Sequence, residues 1–200
     1  LSVKVKNLEQ LKVVLKYDLG NIYYEDINTL KEAIDLASGF NKEIIYSSPR
    51  IIRYKEYNAL KKARDLNIKS AQVGNWGALN YFKDKNLYID YFLNSFNSET
   101  LNYFKEIGAK TICISQELNT TEINETIKNT DVDIETVVYG YAPLMITEYC
   151  PMGVLVRDCK KDKRVAKCRE SIYALKNTNG EEFRVSQDLF CRSTIYNSNV

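Results

Sequence analysis

The residues with the most evident chemical potential are cysteines, four of which fall in roughly the last quarter of this 200-residue chain: Cys150, Cys159, Cys168 and Cys191. Clustered thiolates suit a soft metal ion or an iron–sulfur cluster, because sulfur ligands satisfy polarisable metals better than oxygen does. The same four thiols could instead form two disulfides. We recognise no secretory signal and therefore expect a reducing, cytoplasmic compartment, which favours metal binding over disulfides.

The spacing of these cysteines does not identify the metal. Eight, eight and twenty-two residues separate them, and the chain contains no CxxC pair, so it lacks the zinc-ribbon and ferredoxin patterns. Scattered structural thiols remain the alternative interpretation. The fifth cysteine, Cys113, lies in an apolar run and is predicted to be a small core residue rather than a ligand.

Composition excludes several kinds of chemistry. The chain has no histidine, which removes Ser-His-Asp triads, Cys-His pairs and HExxH zinc sites. Its net charge is only +2, from 28 Lys and Arg against 26 Asp and Glu, so no global field attracts nucleic acid or membrane. No apolar run approaches the roughly 20 residues that span a bilayer. We therefore expect a soluble protein with no membrane partner.

The chain is large enough for one sizeable domain. It has a mass of 23.1 kDa and 44% hydrophobic residues, which can supply a real core. The first residue is Leu1, and the sequence opens directly on a strand-like run. We expect these residues to be part of a longer polypeptide, whose remainder is then one of their partners.

The elements that must position the functional residues alternate along the chain. Short apolar or alternating runs predict seven strands, at residues 2–5, 22–24, 44–46, 71–73, 87–93, 111–115 and 134–139. Helices are predicted between them, over about residues 8–16, 29–37, 54–66, 99–107 and 121–127. This α/β alternation predicts parallel strands in a TIM-barrel-like (β/α)8 fold or an incomplete barrel. A doubly wound open sheet is the second choice.

The alternation breaks after Pro143. We therefore divide the chain into a barrel-like domain over residues 1–147 and a small, irregular four-cysteine lobe over residues 148–200. Residues 172–175 and 183–185 flank Asn179-Gly180, a pair that predicts a β-hairpin within the lobe.

The carboxyl ends of the predicted strands carry the candidate catalytic residues. In a barrel these ends converge on one mouth, where Asp90 and Glu117 are the candidate acid–base carboxylates and Asn94 a candidate polar partner. The alternatives are solvated loop charges for the two carboxylates and a capping or turn role for Asn94 and Asn97. Trp76, at another strand end, is interpreted as a packing residue.

A basic segment surrounds two of the cysteines. It predicts a phosphate-bearing partner such as RNA, held by charge with little sequence selectivity. A solvated face is the equally weighted alternative. The residues concerned are Arg157, Lys160, Lys161, Lys163, Arg164, Lys167 and Arg169.

Several of these stretches together resemble one family. The sequence is similar to the collagenase-like peptidases of family U32, and specifically to the C-terminal repeat of the long two-repeat members. The matching stretches run in order along most of the chain: residues 90–97 (DYFLNSFN), 115–118 (SQEL), 139–145 (YGYAPLM), 148–151 (EYCP) and 191–197 (CRSTIYN).

The resemblance implies a barrel-like fold and an iron–sulfur site, expected to be a 4Fe–4S cluster, on Cys150, Cys159, Cys168 and Cys191. Zinc could replace the cluster in protein prepared in air. Several relatives work in oxygen-independent hydroxylation of RNA pyrimidines or of a quinone precursor, while others are named peptidases or collagenases.

Three functional hypotheses follow. The first is part of an iron–sulfur enzyme that hydroxylates bases in tRNA or rRNA. The second is peptide hydrolysis, as the family name states, which without histidine would rest on carboxylates such as Glu117 or Asp90. The third is a non-catalytic repeat that binds RNA or another partner and is stabilised by its four-cysteine metal site.

Overall fold

The computed structural model of the chain describes residues 1–155 and 173–199. The chain divides into two compact units, Leu1–Val137 and Val138–Val200. The domain boundary after residue 147 stays a prediction. Within the described ranges, no helix is both long and apolar enough to cross a membrane.

The first unit is built on one sheet of seven parallel strands whose spatial order follows the chain. This sequential order confirms the barrel-like prediction, since a doubly wound sheet requires a strand order that reverses. The strands are β1 (Val3–Val5), β2 (Ile22–Tyr24), β3 (Ile44–Ser47), β4 (Ser70–Val73), β5 (Asn86–Ile89), β6 (Ala109–Cys113) and β7 (Asp133–Glu135).

Helices connect these strands and cover one face of the sheet. Among them, α1, α2, α4 and α5 pack against β1, β3, β4 and β6, respectively. Single turns of 3-10 helix occur at Tyr54–Glu56 and Tyr91–Leu93. The helices are α1 (Leu8–Val14), α2 (Leu30–Ser38), α3 (Tyr57–Asp65), α4 (Trp76–Tyr81), α5 (Ser98–Glu106) and α6 (Thr120–Ile127).

The two faces of the sheet differ in chemistry. The Tyr46 ring contacts the Phe82 ring at the end of α4, with centroids 6.1 Å apart, so the face that carries Tyr46 and its neighbour Tyr24 packs against helices. Successive strand residues point to opposite faces, which places Tyr23 and Ile45 on the other side. The strand register extends this second face as a row of mostly polar side chains: Lys4, Tyr23, Ser47, Gln72, Tyr88, Thr111, Cys113 and Glu135.

The polar face is concave, as contacts between distant strands show. Lys4 on β1 bonds Asp90 just after β5, with 2.5 Å between Lys4 Nζ and Asp90 Oδ2. Four strand spacings would separate these strands by about 19 Å in a flat sheet. The sheet is therefore curled, and the first unit is an incomplete TIM-like barrel.

A second set of contacts joins the two edges of the curled sheet. Glu135 Oε1 accepts hydrogen bonds from Ser2 Oγ at 2.5 Å and Asn21 Nδ2 at 2.9 Å. Glu135 Oε2 accepts one from the Tyr23 hydroxyl at 2.7 Å. We call these four residues the Glu135 cluster. It fastens β7 to the β1–β2 edge, so one carboxylate supports the closure of the barrel.

Local differences from the predicted elements have identifiable causes. The predicted fifth strand ends early because the Asp90 side chain accepts from the Phe92 backbone N–H and starts the 3-10 turn. Residues 74–77 contain two glycines and lead into α4, which Asn75 caps by accepting from the Ala78 N–H. Gly77 permits the close approach, because a Cβ there would lie 2.6 Å from the Tyr57 hydroxyl.

The second unit contains an antiparallel sheet in the order β8-β11-β10-β9. The predicted hairpin is confirmed as the β9–β10 pair, whose turn contains Gly180 at φ +87°. The described part of the lobe is thus more regular than the sequence predicts. Its elements are β8 (Pro143–Thr147), a short helix α7 (Pro151–Leu155), β9 (Tyr173–Lys176), β10 (Glu182–Gln187) and β11 (Ser193–Tyr196).

The Glu135 cluster yields a stability prediction. Glu135→Gln replaces one acceptor oxygen with an NH2 group that then faces a hydroxyl or amide donor, so we expect the free energy of unfolding to fall by about 1–2 kcal/mol. Urea denaturation measures this change. Glu106→Gln, the same change on the exposed side of α5, should shift stability by less than about 0.5 kcal/mol. Equal stabilities for the two variants would mean that the cluster does not hold the barrel edges together.

Candidate functional site

The concave face of the first unit holds a buried ion pair between Lys4 and Asp90. The Asp90 side chain is only 4% exposed, while that of Lys4 is 32% exposed. Burial on its own would lower the pKa of Lys4, but the charges of Asp90 and Glu25 and the hydrogen bond to Asp90 outweigh it and raise that pKa. Lys4 is therefore a stable cation at neutral pH and is unsuited to act as a general base.

Cys113 lies in the same electrostatic environment. Burial raises the pKa of the Cys113 thiol to about 12; the nearby Asp90 carboxylate adds to the rise and Lys4 opposes it. A nucleophilic cysteine requires the thiolate form at working pH. Cys113 is neutral there, which suits the core position predicted for it.

The Glu135 cluster also keeps its phenol protonated. Burial, followed by the hydrogen bond and the negative charge of Glu135, raises the pKa of Tyr23 well above its usual value. Several polar groups of the concave face are thus paired with one another, namely Lys4 with Asp90, Tyr23 with Glu135 and Ser47 with Gln72. None of the three groups described here, Lys4, Cys113 or Tyr23, is in a state that favours nucleophilic or base catalysis.

The predicted catalytic residues occupy different environments. Asp90 is buried against Lys4, whereas Asn94 and Glu117 are exposed. Asn94 ends the 3-10 turn in a left-handed conformation at φ 58°, and Asn97 caps α5 by accepting from the Thr100 N–H. Asn94 thus has a turn-forming role and Asn97 a capping role. Among the described contacts, none joins Asn94 or Glu117 to the Lys4–Asp90 pair.

In the second unit, the strand register brings two of the predicted thiol ligands to one end of the sheet. Thr147 at the end of β8 pairs with Ser193 at the start of β11. Cys150 follows Thr147 by three residues, and Cys191 precedes Ser193 by two. Cys150 is half-buried and Cys191 exposed, and both are free thiols. We call this part of the sheet the cysteine end. Cys159, Cys168 and the predicted basic segment lie outside the described residues.

The turn between β10 and β11 holds Cys191 in a specific backbone geometry. Asp188 Oδ1 accepts hydrogen bonds from the backbone N–H groups of Phe190 and Arg192, each at 2.8 Å. The Asp188 N–H in turn donates to the Arg192 carbonyl at 2.9 Å. Cys191 has φ 63°, a conformation that non-glycine residues rarely adopt and that clusters at ligand sites. The Asp188 contacts stabilise this conformation.

Arg192 connects the two segments that carry the cysteines. Its guanidinium is 2% exposed and donates from Nε to Glu148 Oε1 at 2.8 Å, and from one terminal nitrogen to Asp188 Oδ2 at 3.4 Å. Glu148 lies two residues before Cys150, and Arg192 directly follows Cys191. Because a buried charge that loses its partner is strongly unfavourable, this pair fixes the spacing between the two segments.

The donor types at the cysteine end fit a soft metal or an iron–sulfur cluster. Cys150 lies in the loop after β8 and Cys191 in the turn before β11, at one end of the sheet, and cysteine sulfur is the ligand that such groups prefer. In the described ranges no set of three or more Cys, Asp or Glu side chains could hold a metal ion, and these ranges contain only two of the four predicted ligands.

Comparison with known families decides which group of proteins this architecture belongs to. The profile of peptidase family U32 matches residues 18–194. The chain belongs to peptidase family U32. The match runs from before β2 to the start of β11 and includes the cysteine end, so the predicted family is confirmed.

One solved structure supports the fold of this U32 chain. The structure of the U32 peptidase Mk0906 matches with a TM-score of 0.55 and 14% sequence identity, over 78% of this chain and 73% of that one. At this identity the likeness concerns the fold alone. A glycerol uptake operon antiterminator regulatory protein from Listeria monocytogenes also matches, with a TM-score of 0.37 and 11% identity over 66% of this chain and 89% of that one. No curated protein matches the chain.

Sequence reasoning missed several residues that organise the U32 chain. Lys4, Tyr23 and Glu135 lie inside strands, where alternation marks them as facing away from the helices, but the sequence does not say which distant strand each one meets. Arg192 adjoins a predicted ligand and could have been selected as a partner for Glu148. Its burial depends on the β8–β11 pairing, which the sequence analysis did not predict.

The Cys113 environment predicts a pH dependence of stability. The folded protein holds the pKa of this thiol at about 12 against a usual value of 9.0, so folding favours the neutral form. Its stabilising contribution is complete below about pH 9 and is lost as the pH rises towards 12, by at most about 1.4 kcal/mol per pH unit. Unfolding free energies measured from pH 8 to 11 should therefore fall more steeply for the native protein than for Cys113→Ala. Parallel curves would contradict the assigned environment.

Proposed function

We propose that this U32 chain is part of an iron–sulfur enzyme for oxygen-independent hydroxylation of RNA bases. A 4Fe–4S cluster would be held by Cys150, Cys159, Cys168 and Cys191. The observation that carries this proposal is the β8–β11 register, which gathers Cys150 and Cys191 at one end of the second sheet. The two cysteines are 41 positions apart in the sequence, and each lies within three residues of the Thr147–Ser193 pair, which supports a shared site.

The cluster, when bound, supplies one-electron transfer. The chain's own residues then have defined tasks. Arg192 and Glu148 set the separation of the two cysteine segments, and Asp188 holds the left-handed backbone at Cys191. These contacts preorganise the thiols, which limits the entropy lost when a metal centre binds.

The RNA substrate is proposed from the resemblance to relatives that hydroxylate RNA pyrimidines, together with the charge of the lobe sequence. Seven Lys and Arg residues fall between residues 157 and 169, around Cys159 and Cys168. Such a segment binds phosphate through charge. A cytoplasmic location, where RNA is available and thiols stay reduced, belongs to the same proposal.

Peptide hydrolysis is the second candidate, favoured by the structural match to a U32 peptidase. On the concave face, Lys4 is held protonated by Asp90 and the Cys113 thiol is neutral. The chain also contains no histidine. Peptidase chemistry would therefore have to come from an exposed carboxylate such as Glu117 or from residues outside this chain, which makes it the weaker candidate.

The proposal predicts a change in cellular RNA. In anaerobically grown cells that lack the protein, mass spectrometry of RNA nucleosides should show the loss of a hydroxylated pyrimidine. Complementation with the native protein or with Cys113→Ala should restore it, whereas Cys191→Ala, which removes a proposed cluster ligand, should reduce it more than tenfold.

Two outcomes would each favour a different function. Unchanged RNA nucleosides together with peptide cleavage by the purified protein would favour the peptidase. Unchanged nucleosides in a protein that contains iron and sulfide but cleaves no peptide would favour a non-catalytic, partner-binding repeat.

A further inference from the structure

A row of polar side chains crosses the second sheet next to the cysteine end. Ser193 on β11 pairs directly with Thr147 on β8 and with Gln187 on β10. Directly paired residues of neighbouring strands point to the same face. Gln187 and Ser193 are also the last residue before and the first residue after the turn that contains Cys191. Two residues of chain reach at most about 7 Å, so the row lies close to this thiol.

Two members of the row are buried without partners. Gln187 is 3% exposed and Ser193 is fully buried. Gln187 Nε2, Gln187 Oε1 and Ser193 Oγ have no hydrogen-bond partner in the part of the chain that the structure describes. The third member differs, because Thr147 Oγ1 accepts from the Tyr149 N–H at 3.1 Å. A buried polar group without a partner costs about as much as a lost hydrogen bond, so these groups call for an explanation, which a bound ligand would supply.

The chemistry of these groups fits sulfur acceptors. The Gln187 amide offers two N–H donors and the Ser193 hydroxyl one O–H donor. Thiolate and sulfide sulfurs carry negative charge and accept hydrogen bonds, and donors around a metal centre tune its reduction potential. Gln187 and Ser193 flank the turn that contains Cys191. Their donor groups have no partner among the described residues and are therefore available to a sulfur acceptor.

We infer that Gln187 Nε2 and Ser193 Oγ donate hydrogen bonds to the sulfur atoms of the group bound at Cys150 and Cys191. This inference rests on the proposed iron–sulfur function. The two side chains are positioning and tuning residues, since they act on the sulfur atoms and do not touch substrate. Their hydrogen bonds stabilise the more negative, reduced state of the cluster and hence raise its reduction potential.

Anaerobic redox titration of the protein, with its cluster rebuilt from ferrous iron and sulfide, tests this inference. Gln187→Leu keeps an apolar volume in place of the amide, and Ser193→Ala removes only the hydroxyl oxygen. Each should make the cluster harder to reduce by about tenfold in the ratio of reduced to oxidised form, which is about 59 mV for a one-electron couple. Resonance Raman bands of the iron–sulfur bonds should shift in D2O for the native protein and shift less in the variants.

Ser186→Ala is the matched control. Ser186 lies beside Gln187 on β10 but points to the opposite face, where its hydroxyl donates to the Tyr196 hydroxyl at 3.2 Å. It should leave the potential and the D2O shifts unchanged. Unaltered potentials in Gln187→Leu and Ser193→Ala, with the cluster present, would overturn the inference and leave the proposed function intact. A native protein that takes up no iron and sulfide would overturn both.

Discussion

The Lys4–Asp90 ion pair is the interaction on which the architecture of the first unit depends. It joins β1 to the end of β5 across the concave face, over a distance that only a curled sheet can close. The Asp90 carboxylate is buried and Lys4 only partly exposed, so the carboxylate depends on the cation beside it. The Glu135 cluster then binds the opposite edges of the sheet together. These groups neutralise and hydrogen-bond one another, so they line the inside of the incomplete barrel as paired polar side chains.

The second unit also contains a buried charge that pairs with carboxylates. Buried Arg192 pairs with an acidic residue on each of the two segments that carry Cys150 and Cys191, and so connects these segments. The left-handed backbone at Cys191 lies within a few residues of this arginine, as does the Gln187 amide, which has no partner among the described residues. Strain and unsatisfied polar groups are common where a protein binds a ligand, and this is why the cysteine end is the candidate binding site.

Much of the barrel could be predicted from the sequence, because short apolar strands and capped helices are local features. The first helix begins at residue 8 as predicted, because Asn7 caps it by accepting from the Gln10 N–H at 2.9 Å. The second helix instead begins at Leu30 and not after Asn28, because Asp26 organises the turn by accepting from the Asn28 N–H and the Thr29 hydroxyl. The Lys4–Asp90 pair could not be predicted, since its partners are far apart in sequence and meet only through the curl.

The central claim is that the cysteine end binds an iron–sulfur cluster, and metal analysis tests it most directly. Iron and acid-labile sulfide should be measured on protein purified without oxygen, together with zinc and the visible absorption spectrum. The account predicts iron and sulfide near cluster stoichiometry in the native protein and in Cys113→Ala, and their loss in Cys191→Ala. Native protein without iron or sulfide, or a Cys191→Ala variant that retains both, would contradict it.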